Sequence, residues 1–414
     1  MKKPKVLKQP RVRYKSFKDD WKVELLGDLL TFKNGANAEK EQYGSGYKFI
    51  NVLDIIQNDY ITHDVIIGSV ELSESEFKKN EVIYGDILFQ RSSETREEVG
   101  QANVYLDKSK TAAFGGFVIR GRAKGEYHPE FMNYLLRTDK ARQEITTKSG
   151  GSTRYNIGQE VLEGVSVILP TLPEQQKIAA FLGAVDRKIQ QLKRKQALLE
   201  QYKKGVVQQL FAQELRFKDA RGKNYPDWEE RELSEVLTEH KLNSTGKEEV
   251  YSVSVHKSLI NQVEHLGRVY AAESTDHYNR VLPGDMVYTK SPTGEFKYGI
   301  IKQSRLDKSV IVSPLYGVFT PETRGLGYWL DAYFESILNT YNYLHPIVQK
   351  GAKNTIAITN RNFLSNTLKL PVSKEEQTRI AGFLMALDAK VAGVAQAVEA
   401  AQRWKRGLLQ QMFV

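Results

Sequence analysis

Two stretches of the chain carry apolar residues at alternating steps of four and three. In the first, Ile178, Leu182, Val185, Ile189, Leu192 and Leu199 mark a seam, with Gln196 taking one seam position. In the second, Ile380, Leu384, Leu387, Val391, Val394 and Val398 do the same, continued by Ala401. This is the heptad pattern of a coiled coil. Both stretches then slip by three residues, to Tyr202, Val206 and Leu210 and to Trp404, Leu408 and Met412, which overwinds such a coil locally. Acidic residues open each stretch, in Pro173-Glu174 and Lys374-Glu375-Glu376, where they suit the helix dipole. Each stretch predicts a helix of about 40 residues, roughly 60 Å long. A lone helix exposing such a seam would be poorly soluble, so the two helices are expected to pack on each other.

Ahead of each helix the pattern is shorter and mixed. β-rich runs fall at 48–52, 86–89 and 117–119, then at 286–288, 299–301 and 316–319. Helical periodicity is expected at Pro129–Thr146 and Leu326–Tyr341. The fold class is therefore α+β: two tandem α/β bodies with irregular, mostly antiparallel sheets, separated by two long helices. Duplicated bodies favour an antiparallel coiled coil.

The duplication is visible in the residues. Glu174–Phe211 aligns with Glu376–Phe413 without a gap, at an offset of 202. Ile178, Ala179, Phe181 and Leu182 meet Ile380, Ala381, Phe383 and Leu384, while Asp186 and Lys188 meet Asp388 and Lys390. Earlier landmarks also recur: Asp20-Trp21 with Asp227-Trp228, Gly85-Asp86 with Gly284-Asp285, and Leu169-Pro170 with Leu370-Pro371. A period this long is a duplicated domain, not a solenoid unit. The plan divides the chain into an N-terminal segment 1–20, a first body 21–172, a central helix 173–215, a linker 216–227, a second body 228–372 and a C-terminal helix 373–414. Between landmarks the bodies diverge, so the frame is kept while its contents differ.

Charge adds a partner class. Lys plus Arg number 60 against 50 for Asp plus Glu, a net charge of +10 that favours a polyanion. The absence of cysteine excludes disulfides and thiolate zinc sites and fits a reducing cytoplasm. The basic start Met1-Lys2-Lys3-Pro4-Lys5 leads into no apolar run, so it is not a secretory signal. No stretch is read as a membrane span. The expected location is the cytoplasm, with no membrane partner.

Catalytic motifs are missing. No Walker loop occurs, since Gly246-Lys247-Glu248 lacks the Ser or Thr, and the histidines show no i, i+4 ligand spacing. Phe114-Gly115-Gly116-Phe117 precedes a strand instead of following one, which makes it structural and not a cofactor loop. No catalytic residue, metal site or cofactor is assigned to this chain.

The candidate DNA-facing positions are polar, basic and glycine-flanked. In the first body they are Lys33 and Asn34, then Gln90, Arg91, Ser92, Ser93 and Arg96, then Lys148, Ser152, Thr153, Arg154 and Tyr155. In the second they are Thr289, Lys290 and Ser291, then Lys297 and Tyr298, then Lys350, Lys353 and Asn354. Arg and Lys suit guanine edges, Gln and Asn suit adenine, and Ser, Thr and backbone amides suit phosphates. Two of these loops recur at matching points of both halves: the one after Gly-Asp, and the Lys-Gly-rich one before the last strand. A self-contained nuclease or methyltransferase is the alternative, and a scaffold that binds no DNA is a third reading.

The pattern resembles the specificity subunit of type I restriction-modification systems. The resemblance rests on the two Trp-led openings and on Glu-Gln-Gln-Lys-Ile-Ala-Ala-Phe-Leu (174–182) with its copy Glu-Gln-Thr-Arg-Ile-Ala-Gly-Phe-Leu (376–384). It also rests on the linker Leu215-Arg216-Phe217-Lys218-Asp219, running on to Tyr225-Pro226-Asp227-Trp228. The resemblance implies that each body is a target-recognition domain reading one half of a bipartite, asymmetric site in double-stranded DNA. The helices would set the spacing and dock two modification subunits, which would carry S-adenosylmethionine and methylate adenine. Restriction subunits would add ATP- and Mg-dependent translocation and cleavage.

Overall fold

The computed structural model describes residues 9–151, 153–255, 258–262, 275–350 and 356–414. These form two compact units. One comprises the chain up to Lys193 together with Gln396–Val414, the other Arg194–Ala395.

The first unit is built on a four-stranded antiparallel sheet of β1 (Leu30–Asn34), β2 (Ile87–Gln90), β3 (Ala102–Val104) and β4 (Val118–Ala123), in the order β1-β4-β2-β3. Side chains alternate across a strand, and β2 is buried on both faces. Ile87 and Phe89 join a core with Trp21, Phe131 and Leu135, while Leu88 joins Phe114 and Val118 on the other face. A second, irregular sheet adds Tyr43–Ile50, whose Phe49 pairs parallel with Ala113. The strand expected through Val52 stops at Ile50. Asn51 instead opens the helix Val52–Gln57, with its backbone N–H donating to Asp54 at 2.7 Å.

The second unit repeats the plan with β5 (Leu237–Glu239), β6 (Met286–Tyr288), β7 (Ile301–Gln303) and β8 (Gly317–Pro321), in the order β5-β8-β6-β7. In both units a short strand after the tryptophan pairs antiparallel with the strand before the proline. These pairs are Lys22–Leu25 with Ser166–Leu169 and Glu229–Glu232 with Thr367–Leu370. Gly85 and Gly284 both adopt positive φ, at 91° and 96°, and the following Asp86 and Asp285 each accept from the backbone three residues earlier. The shared Gly-Asp is therefore a turn that launches the buried strand.

Each helix expected within a body is broken in two. Pro129–Leu135 and Asp139–Lys148 replace one, and Arg324–Phe334 and Ile337–Leu344 replace the other. The second member of each pair restarts on a hydroxyl cap, Thr138 accepting from Ala141 N and Ser336 from Asn339 N.

The long helices are α1 (Leu172–Phe211) and α2 (Lys374–Met412). In the first unit Ile178 and Leu182 share a core with Met412, Phe413 and Val414. In the second, Val206 and Leu210 share one with Ile380 and Leu384. Within each unit the start of one helix thus lies with the end of the other, so the pairing is antiparallel. All twelve seam residues are buried or half-buried. A window of 18 residues in α2 averages a mean hydropathy of 1.4, long and apolar enough by composition to cross a membrane. Asp388 and Lys390 interrupt its apolar run, so no span stands out in the sequence pattern.

A polar cluster repeats where each body meets its helices. In the first unit Asp186 accepts from Tyr134 Oη at 2.7 Å and pairs with Lys405 at 2.6 Å. In the second, Asp388 accepts from Tyr328 Oη and pairs with Lys203 at 2.6 Å and Arg305 at 3.0 Å. Burial opposes the charge on Asp388, but Lys203, Tyr328 and Arg305 outweigh it and hold the carboxyl below its usual range. A lowered folded pKa gives stability that is present above the unfolded value of about 4 and lost as pH falls through the folded value. Asp388→Asn is expected to cost about 2 kcal/mol at neutral pH. It should also flatten the acid limb below about pH 4, read from thermal melts across pH. An unchanged acid limb would remove Asp388 from the account.

Candidate nucleic-acid interface

In the first unit two candidate segments meet the turn between Phe114 and β4, and a third joins through one of them. Gly35 N donates to Val118 O, and Ala36 bridges Gly115. Arg91 N donates to Phe117 O at 2.9 Å, and its guanidinium reaches Gly116 O at 3.3 Å. Tyr155–Asn156 pairs antiparallel with Ser92–Ser93, and Ser92 Oγ donates to Asn156 Oδ1 at 2.5 Å. The loop after Gly-Asp and the Lys-Ser-Gly loop, 60 residues apart in sequence, become one surface.

The candidate side chains play different parts on it. Asn34, Arg91, Thr153 and Arg154 are exposed. Among the described residues neither Arg91 nor Arg154 has a carboxylate partner, so both cations are available to phosphate or a base edge. Lys33 is half-buried and donates to Lys79 O. Burial, then the nearby Arg120, Lys79 and Arg122, push its pKa down. Gln90 is buried and donates to Ser92 O, while Ser93 Oγ donates to Glu98. Arg96 covers the end of a helix through Thr146 O at 3.1 Å and Thr147 O at 3.3 Å. Lys148 pairs with Glu144 at 3.4 Å, and Tyr155 packs against the core. Ser152 lies outside the described residues.

In the second unit Thr289 is buried, and its hydroxyl accepts from Ile300 N at 3.1 Å. Lys290 holds a positive φ of 60°, rare for a residue with a side chain. Burial lowers the pKa of its ammonium. Ser291 and Lys297 are exposed, with Lys297 over the Tyr341 ring. Tyr298 stacks on Tyr341 and His345, and its hydroxyl meets His345 Nδ1 at 2.8 Å. This stack ties the loop after Gly-Asp to the segment leading into Gln349–Lys350, which pairs with Ile356–Ala357. Lys353 and Asn354 lie outside the described residues.

Several residues that hold the loops and the helix starts were given no such role from the sequence. Arg142 donates to Glu97 O at 2.9 Å and Val99 O at 2.6 Å, fixing the loop that carries Arg96. Arg13 forks onto Glu174 through Nε and Nη2, both at 2.7 Å, and Arg216 reaches the two Glu376 oxygens through Nη2 alone, at 3.1 and 3.3 Å. A signal existed: Val12-Arg13-Tyr14-Lys15 aligns with Leu215-Arg216-Phe217-Lys218 at an offset of 203. Among the described residues no cluster of three or more histidine or acidic side chains is arranged to hold a metal.

Residues 18–201 match the family model of the type I restriction modification DNA specificity domain. The match covers the first body and most of α1, so this stretch is similar to that specificity domain. Two curated relatives from Methanocaldococcus jannaschii are similar to this chain. One, described as the type I restriction enzyme MjaX specificity subunit, is 23% identical over 297 residues, 66% of this chain and 64% of the relative. The type I restriction enzyme MjaIX specificity subunit is 26% identical over 164 residues, 38% of each chain. The matched stretch thus spans less than two thirds of the length of either relative. Among solved structures, the type I S subunit from M. genitalium superposes with a TM-score of 0.57 at 12% identity, covering 98% of this chain and 99% of that one. A chain from a structure on complex assembly and conformational transition of the type I system gives 0.53 at 16% identity, covering 95% and 97%. At these identities the likeness is one of fold. It extends over nearly the whole chain, beyond the residues that the family model matches.

Proposed function

We propose that this chain is a specificity subunit that recognises DNA for a type I restriction-modification complex, each body reading one half of a bipartite, asymmetric site. The observation that carries this reading is one surface built twice on one frame with different side chains. Counting on from the paired strands, Asn34, Arg91 and Phe117 of the first body correspond to Lys241, Lys290 and Leu315 of the second. Two unlike readers suit an asymmetric site, whereas two identical ones would demand a palindrome. The net charge of +10 supports the same partner.

In this proposal α1 and α2 set the half-site spacing and dock two modification subunits. Those subunits carry S-adenosylmethionine and methylate adenine, and restriction subunits add ATP- and Mg-dependent cleavage. This chain itself is non-catalytic, binds no cofactor and works in the cytoplasm. Ile380, Ala381 and Leu384 of α2 sit in the second unit's core, and Leu387 and Val398 are also buried, which favours a packed helix over a membrane span. No observation favours a self-contained nuclease or methyltransferase.

Base-resolution mapping of methylated adenine, in cells with and without this gene, tests the reading. A gene-dependent bipartite motif is expected; identical maps would end it. Arg91→Ala with Arg154→Ala should weaken DNA binding by the assembled complex about tenfold or more and make it less salt-dependent. Unchanged affinity and salt slope would remove this face from the interface.

A further inference from the structure

Both bodies place an exposed apolar side chain at one equivalent point. β4 pairs Ile119 with Phe89, and β8 pairs Gly317 with Tyr288. Phe89 and Tyr288 both stand three residues after the shared Asp. Two residues before each paired position come Phe117 and Leu315, which are 68% and 71% exposed. Nothing in the core pattern calls for a large apolar group there.

The two tips are held, not loose. The Phe117 carbonyl accepts from Arg91 N, and the preceding glycines are tightly packed. A Cβ on Gly116 would stand 2.0 Å from the Asn37 side chain, and one on Gly35 would stand 2.3 Å from Gly115 O. In the second body Ser313 accepts from Leu315 N at 3.3 Å through its hydroxyl and from Tyr316 N at 3.1 Å through its carbonyl. Arg91 lies beside the first tip, and its counterpart Lys290 follows β6 at the second. A rigid apolar tip beside a cation matches a duplex, whose phosphates take the charge and whose bases offer apolar faces and thymine methyls. Side chains such as Phe and Leu also wedge between base steps and unstack them.

We propose that Phe117 and Leu315 are paired apolar probes, each packing against the bases of one half-site. This rests on the reading that these faces bind DNA. The probes add contact at low entropic cost because their backbones are already fixed. Being different in size, they also contribute to the difference between the two half-sites.

The experiment compares Phe117→Ser, Leu315→Ser and the Arg91→Ala, Arg154→Ala pair in the assembled methyltransferase. The probes are a randomised duplex library and methylation maps of genomic DNA. Phe117→Ser is expected to lower specific binding about tenfold and relax one half of the motif, leaving the other half and the spacing intact. Leu315→Ser should relax the opposite half. Phe117→Leu should keep most of the affinity, and thermal melts should match the parent since both side chains are exposed. If the serine variants keep full affinity and an intact motif while the arginine variants lose binding, the probes are overturned and the face stands. If none of the variants changes binding, the face itself is wrong.

Discussion

Replacing Phe413 with alanine is expected to lower the stability of the first unit by about 3 kcal/mol, a fall in Tm of roughly 10 °C. Phe413 is buried, with ring centroids 6.4 Å from Trp21 and 5.3 Å from Phe131. Those partners lie almost 400 and 300 residues away in sequence. Truncation removes the transfer energy of the ring and leaves a cavity between two other aromatics. About 3 kcal/mol is the lower end of the Phe→Ala range. Calorimetry of the purified chain would decide: a loss under about 1 kcal/mol would mean that the end of α2 is not part of this core.

Arg216→Ala is expected to cost the second unit a similar amount, about 3 kcal/mol. Glu376 is fully buried at the start of α2, accepts two bonds from Arg216, and takes a third from Trp228 Nε1 at 3.1 Å. Removing the cation strands a buried carboxylate on one indole N–H, and the remaining charge is what makes the loss large. Glu376→Gln should be milder because the amide can still accept from Trp228. Denaturant titration of both variants tests the order, and an alanine variant as stable as the parent would contradict it. Among the described residues the equivalent Trp21 Nε1 of the first unit, also buried, has no hydrogen-bond partner, so the two halves are not energetic copies.

The helices and the duplicated frame were legible because their signals are periodic. A heptad seam is readable over 20 residues, and landmarks such as Gly85-Asp86 and Gly284-Asp285 repeat at fixed spacing. What hid the broken helices at Leu136–Thr138 and Glu335–Ser336 was the absence of glycine or proline at the breaks. A hydroxyl cap inside an amphipathic stretch looks like an ordinary polar position. Lys33 illustrates a different limit. Sequence shows a lysine beside Asn-Gly, but strand alternation turns it towards Arg120 and the Lys79 carbonyl. Phe117 was invisible for the opposite reason, since an apolar residue in a β-rich run reads as core until its exposure is known. The joining of the loops near Arg91 and Arg154 depends on a two-residue strand pair that no local pattern announces.

The exchange of helix ends between units has a consequence for how the chain is made. Met412, Phe413 and Val414 complete the first core, yet the ribosome adds them after every other residue of that core. At roughly 10 residues per second, the first body waits more than 20 seconds after Leu182 emerges before its missing wall arrives. During that interval an apolar surface stays open, so nascent chains should engage cellular holding factors.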